Sequence, residues 1–179
     1  LDEVINKNIE KSEKIIIVVS FLFERGLELI FDKLKKFHNP SNITIITSNY
    51  LNSTEPNALR KLIDLKSLGS KIYMFDSVGS KENFHIKSYY FENKDNDFYS
   101  SIIGSSNISF SAFRLSHELN IETKDKKICK EHCEKMLNFL SHPSLLELTN
   151  KVIDDYEKIY DESKNLFRKF EDEKDDDIT

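Results

Sequence analysis

The stretch HIKSYYFENKDNDFYSSIIGSSNIS, residues 85–109, contains the pattern that decides the fold. Two apolar, aromatic-rich segments, Phe84–Phe91 and Phe98–Ile103, flank the polar link ENKDND. Apolar runs on either side of a short polar link are typical of a β-hairpin. We therefore predict a hairpin whose first strand contains His85 and Lys87.

Polar residues near the two ends of this hairpin form a candidate anion-binding site. In a strand, His85 and Lys87 project to the same face, which places a neutral imidazole beside a fixed ammonium. After the second strand, Gly104 permits a tight turn and close approach of the backbone to a ligand. Ser105 and Asn107 then offer hydrogen-bond donors for phosphate oxygens. This combination suits attack on an anionic ester.

Glu118 is a further candidate, because it stands at the mouth of the next predicted strand, Leu119–Thr123. A carboxylate at this point can hold the ring of His85 in one tautomer and stabilise its protonated form. His117 would face the opposite side of that strand and is left out of the site.

Strand and helix patterns alternate in the N-terminal half of the chain. The β-branched runs Ile15–Phe21, Ile43–Thr47 and Lys71–Phe75 predict buried strands. Apolar residues at helical spacing predict helices between them, over Glu24–Phe37 and over residues 54–69. Such units favour an α/β fold, and with the hairpin added we expect a mixed central sheet flanked by helices.

The C-terminal part of the chain is predicted to be mainly helical. Apolar residues recur at helical spacing over Lys126–Leu140 and Ser144–Phe170, and Pro143 stands where helices commonly begin. We expect one domain over residues 1–142. Residues 143–179 should form a long amphipathic helix and an acidic linker or tail, Glu171–Asp177, that leads to a downstream domain.

The composition is that of a folded, non-membrane protein. The chain has 179 residues, of which 39% are hydrophobic and 32% charged, values typical of a globular chain. Its longest apolar run, Ile15–Leu22, is far shorter than the about 20 residues that span a bilayer. No secretory signal precedes that run. We therefore expect no membrane partner.

Charge is unevenly distributed along the sequence. The net charge is −5, and the segment from Lys169 to Thr179 contains two lysines and six acidic residues. The remaining chain is close to neutral, which does not exclude a nucleic-acid partner.

The two cysteines, Cys129 and Cys133, are one helical turn apart and provide no disulfide framework. A cytoplasmic, reducing location is the simpler interpretation. His132 completes a C-x-x-H-C motif, but a structural zinc site needs four ligands, commonly from two separated pairs. No second pair is evident, so we interpret these residues as buried cysteines beside a surface histidine.

The H-x-K of residues 85–87, the GSSN of residues 104–107 and Glu118 together resemble the phospholipase D superfamily, whose signature is HxK…GSxN. The resemblance implies cleavage of phosphodiesters without a metal or another cofactor. One histidine attacks phosphorus to form a phosphohistidine, a second protonates the leaving oxygen, and water then releases the product. Carried onto this chain, His85 is nucleophile or acid, Lys87, Ser105 and Asn107 bind phosphate, and Glu118 orients the imidazole.

The chain departs from the superfamily pattern in two ways. The pattern places Asp five residues after the lysine, where this chain has Glu92, and the hairpin that follows is longer. We leave Glu92 out of the site for this reason. Only one H-x-K occurs, whereas the mechanism uses two, so the resemblance implies a homodimer that shares one active site on its two-fold axis.

A narrower resemblance covers roughly residues 10 to 125. The matching segments are similar to the phospholipase D-like domain at the N-terminus of certain bacterial DEAD/DEAH-box helicases, and related domains occur in metal-independent restriction endonucleases. They are Ile15–Leu29, Ile45–Leu62, His85–Phe91 and Gly104–Glu122. This resemblance implies that the chain cleaves DNA as part of a helicase or restriction system. The alternative is a non-catalytic DNA-binding or dimerisation module of a helicase, and a lipid-cleaving phospholipase is the weakest candidate.

Overall fold

A seven-stranded mixed sheet runs through the protein, and helices cover both of its faces. The computed structural model describes the backbone of residues 1–176 and the side chains of residues 1–165. The elements in chain order are α1 (Asp2–Lys11), β1 (Lys14–Val19), α2 (Glu24–Lys35), β2 (Ile43–Ser48), α3 (Pro56–Ser67), β3 (Lys71–Phe75), α4 (Ser77–Ser80), β4 (Lys87–Asn93), β5 (Phe98–Gly104), α5 (Phe110–Arg114), β6 (Asn120–Thr123), α6 (Lys126–Asn138), β7 (Leu145–Glu147) and α7 (Asn150–Asp176).

The order of strands across the sheet is β6-β5-β4-β1-β2-β3-β7. Strands β1, β2 and β3 are parallel, as expected for strands joined by helices. Strand β4 runs antiparallel to β1 and forms the predicted hairpin with β5, with Asn93 opposite Phe98 at its turn. The edge strands β6 and β7 are antiparallel to their neighbours. The mixed α/β sheet predicted from the sequence is therefore confirmed.

Two hydrophobic cores lie on opposite faces of the sheet, and β1 contributes to both. Ile15, Ile17 and Val19 belong to the core formed with α1, α2, α3 and α7, whereas Ile16 and Val18 belong to the core under α6. Successive side chains of a strand alternate between faces. A strand covered on both faces must therefore be apolar at every position, which explains the unbroken apolar run in β1.

Helix α1 was not predicted from the sequence. Its few apolar residues are separated by charged ones, but Ile5 and Ile9 are both buried, and the helix packs against α2. The carboxylate of Asp2 binds the guanidinium of Arg114, which ties the start of the helix to the end of α5. Tertiary packing stabilises this segment more than its own periodicity indicates.

The predicted helix over Ser144–Phe170 is wrong at its start. Residues Leu145–Glu147 form strand β7, which pairs with β3, and α7 begins only at Asn150. The side chain of Thr149 accepts a hydrogen bond from the backbone N–H of Val152 at 3.2 Å and so caps this helix. The strand forms because β3 offers an unpaired edge, which the local sequence does not reveal.

The acidic segment expected to be a linker or tail is helical as far as the structure describes it, because α7 extends through Asp176. Asp177 lies outside the described residues, as do the side chains of Leu166 and Phe170. Within the described part of the chain, no helix has the length and apolar character needed to cross a membrane.

Candidate active site

The predicted site residues collect at one end of the sheet. Lys87 opens β4, Ser105 and Asn107 follow the end of β5, and Glu118 precedes β6. The carboxyl end of β1 reaches the same place, because β1 and β5 run in one direction and β4 and β6 in the other. The topology therefore brings residues from four segments of the chain to one edge.

His85 lies just before β4 and not within it, so the predicted strand began too early. The backbone is still held against the end of β1, since the carbonyl of Ile86 accepts hydrogen bonds from the N–H and hydroxyl of Ser20 at 2.7 and 3.1 Å. The exposed imidazole of His85 meets the rings of Phe21 and Tyr50 edge-on, at centroid distances of 6.1 and 6.2 Å.

Lys87 is a buried ammonium without a partner. The residue is 6% exposed, and its Nζ has no hydrogen-bond partner among the described residues. Nζ lies 5.7 Å from the ring centroid of Phe21. Burial lowers the pKa of Lys87, and the negative charge of Glu118 opposes this shift. A buried cation without a hydrogen-bond partner is costly, so an anion that reaches it is bound favourably.

The GSSN segment is held in place by hydrogen bonds to Phe21, Tyr89 and Asn120. The side-chain oxygen of Asn107 accepts a hydrogen bond from the backbone N–H of Phe21 at 3.0 Å. Its Nδ2 is the remaining donor of that amide. Ser106 is fully buried, accepts a bond from Asn120 Nδ2 at 2.8 Å through its hydroxyl, and accepts one from Tyr89 through its carbonyl at 2.9 Å. Ser106 therefore fixes the loop that presents its two neighbours.

Gly104 is required by the close approach of the loop before β6. A Cβ at this position would lie 2.3 Å from the carbonyl oxygen of Leu119 and the same distance from Asn120 Oδ1. No side chain fits such a contact. The tight approach lets the backbone N–H of Ser105 donate to Leu119 at 3.1 Å, which fixes Ser105 beside Glu118.

Glu118 forms a hydrogen bond with Ser105. Among the described residues, it forms no hydrogen bond or ion pair with His85. Its carboxylate accepts a hydrogen bond from the hydroxyl of Ser105. Strand β6 begins at Asn120, so Glu118 and His117 precede it, and the alternation argument that separated the two residues does not apply to them. The orientation of His85 by Glu118 remains a prediction.

The surroundings of His85 favour the neutral form of its imidazole. Its partial burial, together with the positive charge of Lys87, lowers the pKa of His85 below its usual value. A lowered pKa keeps the imidazole unprotonated at neutral pH. An unprotonated imidazole retains the nitrogen lone pair that a nucleophile needs.

The rings of Tyr50 and Phe21 both lie beside His85, and the sequence analysis included neither in the site. Phe21 is the more closely involved of the two. Its ring contacts both His85 and Lys87, and its backbone N–H binds Asn107. The one signal in the sequence is its place as the last residue of the first predicted strand, Ile15–Phe21, which in the structure ends at Val19. Nothing in the spacing of the H-x-K and GSSN motifs points to it.

The residues excluded from the site lie elsewhere in the fold. Glu92 is buried within β4 and forms ion pairs with Lys14 at 3.7 Å and Lys94 at 3.8 Å. Cys129 and Cys133 are buried in the core under α6. His132 is half-buried rather than on the surface, and its Nε2 lies 2.7 Å from the hydroxyl of Ser88. Among the described residues, no three His, Cys, Asp or Glu side chains are grouped to hold a metal ion.

A known protein family matches most of the chain. Residues 5–140 match the family model described as "Cardiolipin synthase, PLD-like domain". The chain belongs to the family of phospholipase D-like domains, and the resemblance drawn from the H-x-K and GSSN motifs is confirmed. A search of curated proteins found no match.

Two solved structures share the fold. NucT from Helicobacter pylori has a TM-score of 0.62 and 17% sequence identity, and the match covers 81% of this chain and 89% of that one. Nuc from Salmonella typhimurium, a phospholipase D family member, has a TM-score of 0.60 and 12% identity, with 81% and 88% covered. At these identities the likeness is one of fold.

Proposed function

We propose that this domain is a metal-independent phosphodiesterase that cleaves DNA through a phosphohistidine formed on His85. The observation that carries the proposal is the buried, unpartnered Nζ of Lys87 beside a neutral imidazole. A lysine in this state is suited to an anionic substrate. The adjoining hydroxyl of Ser105 and amide of Asn107 are suited to the other oxygens of the same phosphate.

The first chemical step forms one bond and breaks one. A neutral ring nitrogen of His85 attacks phosphorus, the N–P bond forms, and the bond from phosphorus to the leaving oxygen breaks. Negative charge grows on the phosphoryl oxygens during the attack, and Lys87 with Asn107 stabilises it. The leaving oxygen takes a proton from a second imidazole in its protonated form, which the negative charge of the bound phosphate favours.

The second step regenerates the enzyme. The imidazole that gave up its proton takes one from water, the resulting hydroxide attacks phosphorus, and the N–P bond to His85 breaks. We propose that the second imidazole is His85 of another copy, so that two chains share one site on a two-fold axis. The single H-x-K of this chain supports this arrangement.

The proposed biological setting is a helicase or restriction system, with a downstream helicase domain after residues 143–179. The resemblance of the N-terminal half to helicase-associated domains supports it. We also propose a cytoplasmic location, which the free thiols of Cys129 and Cys133 support.

Plasmid cleavage in EDTA tests the function. Wild type should nick the plasmid with EDTA present, and His85→Ala should lose cleavage. His38→Ala is the matched control, because His38 is an exposed histidine just beyond the C-terminal end of α2, away from the site. Absence of cleavage with retained DNA binding would favour the non-catalytic helicase module, and release of choline from lipid would favour a phospholipase.

His117→Ala completes the set of variants. His117 lies next to Glu118, so it is the histidine of the same chain best placed by sequence to act as the proton donor. Full cleavage by His117→Ala supports the shared site. Loss of cleavage in this variant, with an intact fold and unchanged oligomeric state, would instead assign both imidazoles to one chain.

A further inference from the structure

A groove with aromatic side chains in its walls lies at the same end of the sheet as the candidate site. Its cavity volume is about 240 Å³, and the described residues that line it are Phe23, Arg25, Glu55, Ser109, Phe110 and Ser111. We call it the aromatic groove. These residues have no part in the proposed chemical steps, yet both walls of the groove continue chain segments that carry site residues.

The walls of the aromatic groove begin at the candidate site. One wall follows Phe21, whose backbone N–H binds Asn107, and the other wall follows Asn107 itself. The two segments stay together as they leave the site, because the N–H of Phe23 donates to the carbonyl of Ile108 at 2.9 Å. Phe110 is the third residue after Asn107, so their Cα atoms are at most roughly 11 Å apart. The aromatic groove therefore lies within reach of a nucleotide that adjoins a phosphate at Asn107.

A cation stands over one of the rings of the aromatic groove. The guanidinium carbon of Arg25 lies 4.3 Å from the ring centroid of Phe110. Arg25 is exposed and forms no ion pair among the described residues, whereas its acidic neighbour Glu24 pairs with Lys61 at 3.1 Å. A guanidinium that is held over a ring and forms no ion pair keeps its donors available to a phosphate.

The other polar groups in the lining of the aromatic groove already have partners within the fold. The carboxylate of Glu55 accepts a hydrogen bond from the backbone N–H of Glu24 at 2.7 Å, at the start of α2. The hydroxyl of Ser109 caps α5, and that of Ser111 lies 2.6 Å from the hydroxyl of Ser116. The rings and the guanidinium are therefore the groups that a ligand would contact.

Rings and a guanidinium side by side form a surface that suits the flat face of a nucleic-acid base. In a duplex each base is paired and stacked on its neighbours, so a side chain reaches its face only after the base leaves the stack. An unpaired base presents its face directly and gains from contact with an aromatic ring. The aromatic groove thus matches single-stranded nucleic acid better than duplex.

We propose that the aromatic groove binds an unpaired base of a DNA strand, in the nucleotide next to the phosphate at Lys87 and Asn107. The ring of Phe110 contacts the base, and the guanidinium of Arg25 binds the phosphate on its far side. This inference rests on the proposed function, because it takes the cleaved strand to pass through the candidate site. It adds a substrate class, since single-stranded DNA should be preferred to continuous duplex.

Binding without cleavage tests the aromatic groove directly. His85→Ala is used so that the DNA stays intact, and its affinity for a fluorescent single-stranded oligonucleotide is compared with that for the same strand without its bases. The strand with bases should bind about tenfold more tightly, because base–ring contacts are lost from the other. Adding Phe110→Ala should remove the difference. Phe98→Ala is the matched control, since Phe98 lies under Lys11 at the opposite end of β5, and it should keep the difference.

The salt dependence of binding tests the charge of Arg25. In the same His85→Ala protein, Arg25→Gln should weaken binding of the single strand and reduce the slope of log affinity against log salt by about 0.7, the value for one phosphate contact on a single strand. Lys11→Gln, the matched control, should leave the slope unchanged. An unchanged slope in Arg25→Gln would contradict the proposed phosphate contact.

Cleavage rates measure the preference between substrates. Wild type should cleave the single strand about tenfold faster than the matching duplex at low DNA concentration, and Phe110→Ala should lower this ratio. Circular dichroism checks that the variants fold, and Phe110→Leu, which keeps an apolar side chain without the flat ring, replaces Phe110→Ala if the latter does not.

Equal affinity for strands with and without bases would overturn the proposal, and so would an undiminished difference in a folded Phe110 variant. Loss of an oligomer in that variant with unchanged DNA binding would assign the aromatic groove to a contact between proteins instead. If wild type binds DNA but does not cleave it, the proposed function fails, and the binding comparison still decides the groove. Cleavage without discrimination between the strands would have the reverse meaning.

Discussion

Two lysines stand near opposite ends of the ladder that joins β1 and β4, and they differ in one respect. Lys14 lies 3.7 Å from the carboxylate of Glu92 and 5.8 Å from the ring centroid of Tyr90. Lys87 lies 5.7 Å from the ring centroid of Phe21, but its Nζ has no hydrogen-bond partner among the described residues. The same type of side chain, beside the same type of ring, forms an ion pair at one end and has no bonded partner among the described residues at the other.

The two lysines show that the two ends of this ladder have different roles, one in stabilising the fold and one in the candidate site. At the Lys14 end, a buried carboxylate and a half-exposed ammonium satisfy each other, and the pair serves the fold. At the Lys87 end, the buried charge is destabilising until an anion arrives. Functional sites commonly retain such local conflicts, which the rest of the structure tolerates.

Substitution of Lys87 should have the largest effect on cleavage, and it tests the difference between the two lysines. Lys87→Met should reduce cleavage about 10²- to 10³-fold, because one preorganised donor to the phosphoryl oxygens is removed. Its resistance to urea should be equal to or greater than that of wild type, since an unpaired buried charge is replaced by an apolar side chain of similar length. Lys14→Met is the control and should cleave at the wild-type rate. A Lys87→Met protein that unfolds more readily than wild type would show that Lys87 serves the fold.

Phe21 provides the next test, because it contacts both groups at the functional end. Phe21→Leu keeps an apolar side chain but removes the flat ring beside His85 and Lys87, and we expect kcat to fall about tenfold, or about 1.4 kcal/mol. KM should change little if the ring positions the groups and does not bind DNA. Phe98→Leu is the matched control, since Phe98 also lies under a lysine, with Lys11 Nζ at 5.9 Å from its centroid. An equal loss in both variants would point to general destabilisation.

Substitution of Lys14, at the other end of the ladder, should lower the free energy of unfolding. Lys14→Met leaves Glu92, which is 5% exposed, with the solvent-exposed Lys94 at 3.8 Å as its remaining ion-pair partner among the described residues. We expect a loss of about 1 kcal/mol in urea unfolding, a modest figure because Lys14 itself is partly exposed. Lys94→Met should cost less, because its side chain is largely in solvent. Equal stability of Lys14→Met and wild type would mean that the pair contributes nothing.

The sequence predicted the parts of the fold that depend on local pattern. The strands, the hairpin and the GSSN turn follow from alternation and turn chemistry, and they occur close to the predicted positions. Strand β7 could not be predicted in this way, because Leu145–Glu147 forms a strand only where the edge of β3 is available.

The candidate site was predictable as a set of residues but not as a geometry. The motifs predict that His85, Lys87, Ser105 and Asn107 belong together. They do not reveal that Lys87 is buried or that Phe21, from a distant part of the chain, contacts two of these residues. Burial and such contacts depend on the packed sheet, which no local spacing encodes.

The smallest expected effect is a change in the titration of His85, and it separates the two causes that lower its pKa. Burial and the charge of Lys87 both favour the neutral imidazole, so wild-type His85 should protonate only below its usual pH. Lys87→Met removes the charge and keeps the burial, so the pKa should rise but stay below the usual value. Lys14→Met, at the other end of the ladder, should leave it unchanged. Titration of the imidazole by NMR measures all three proteins, and it does so whether or not they cleave DNA. An unchanged pKa in Lys87→Met would mean that the ammonium does not act on His85, and that the two groups do not form one site.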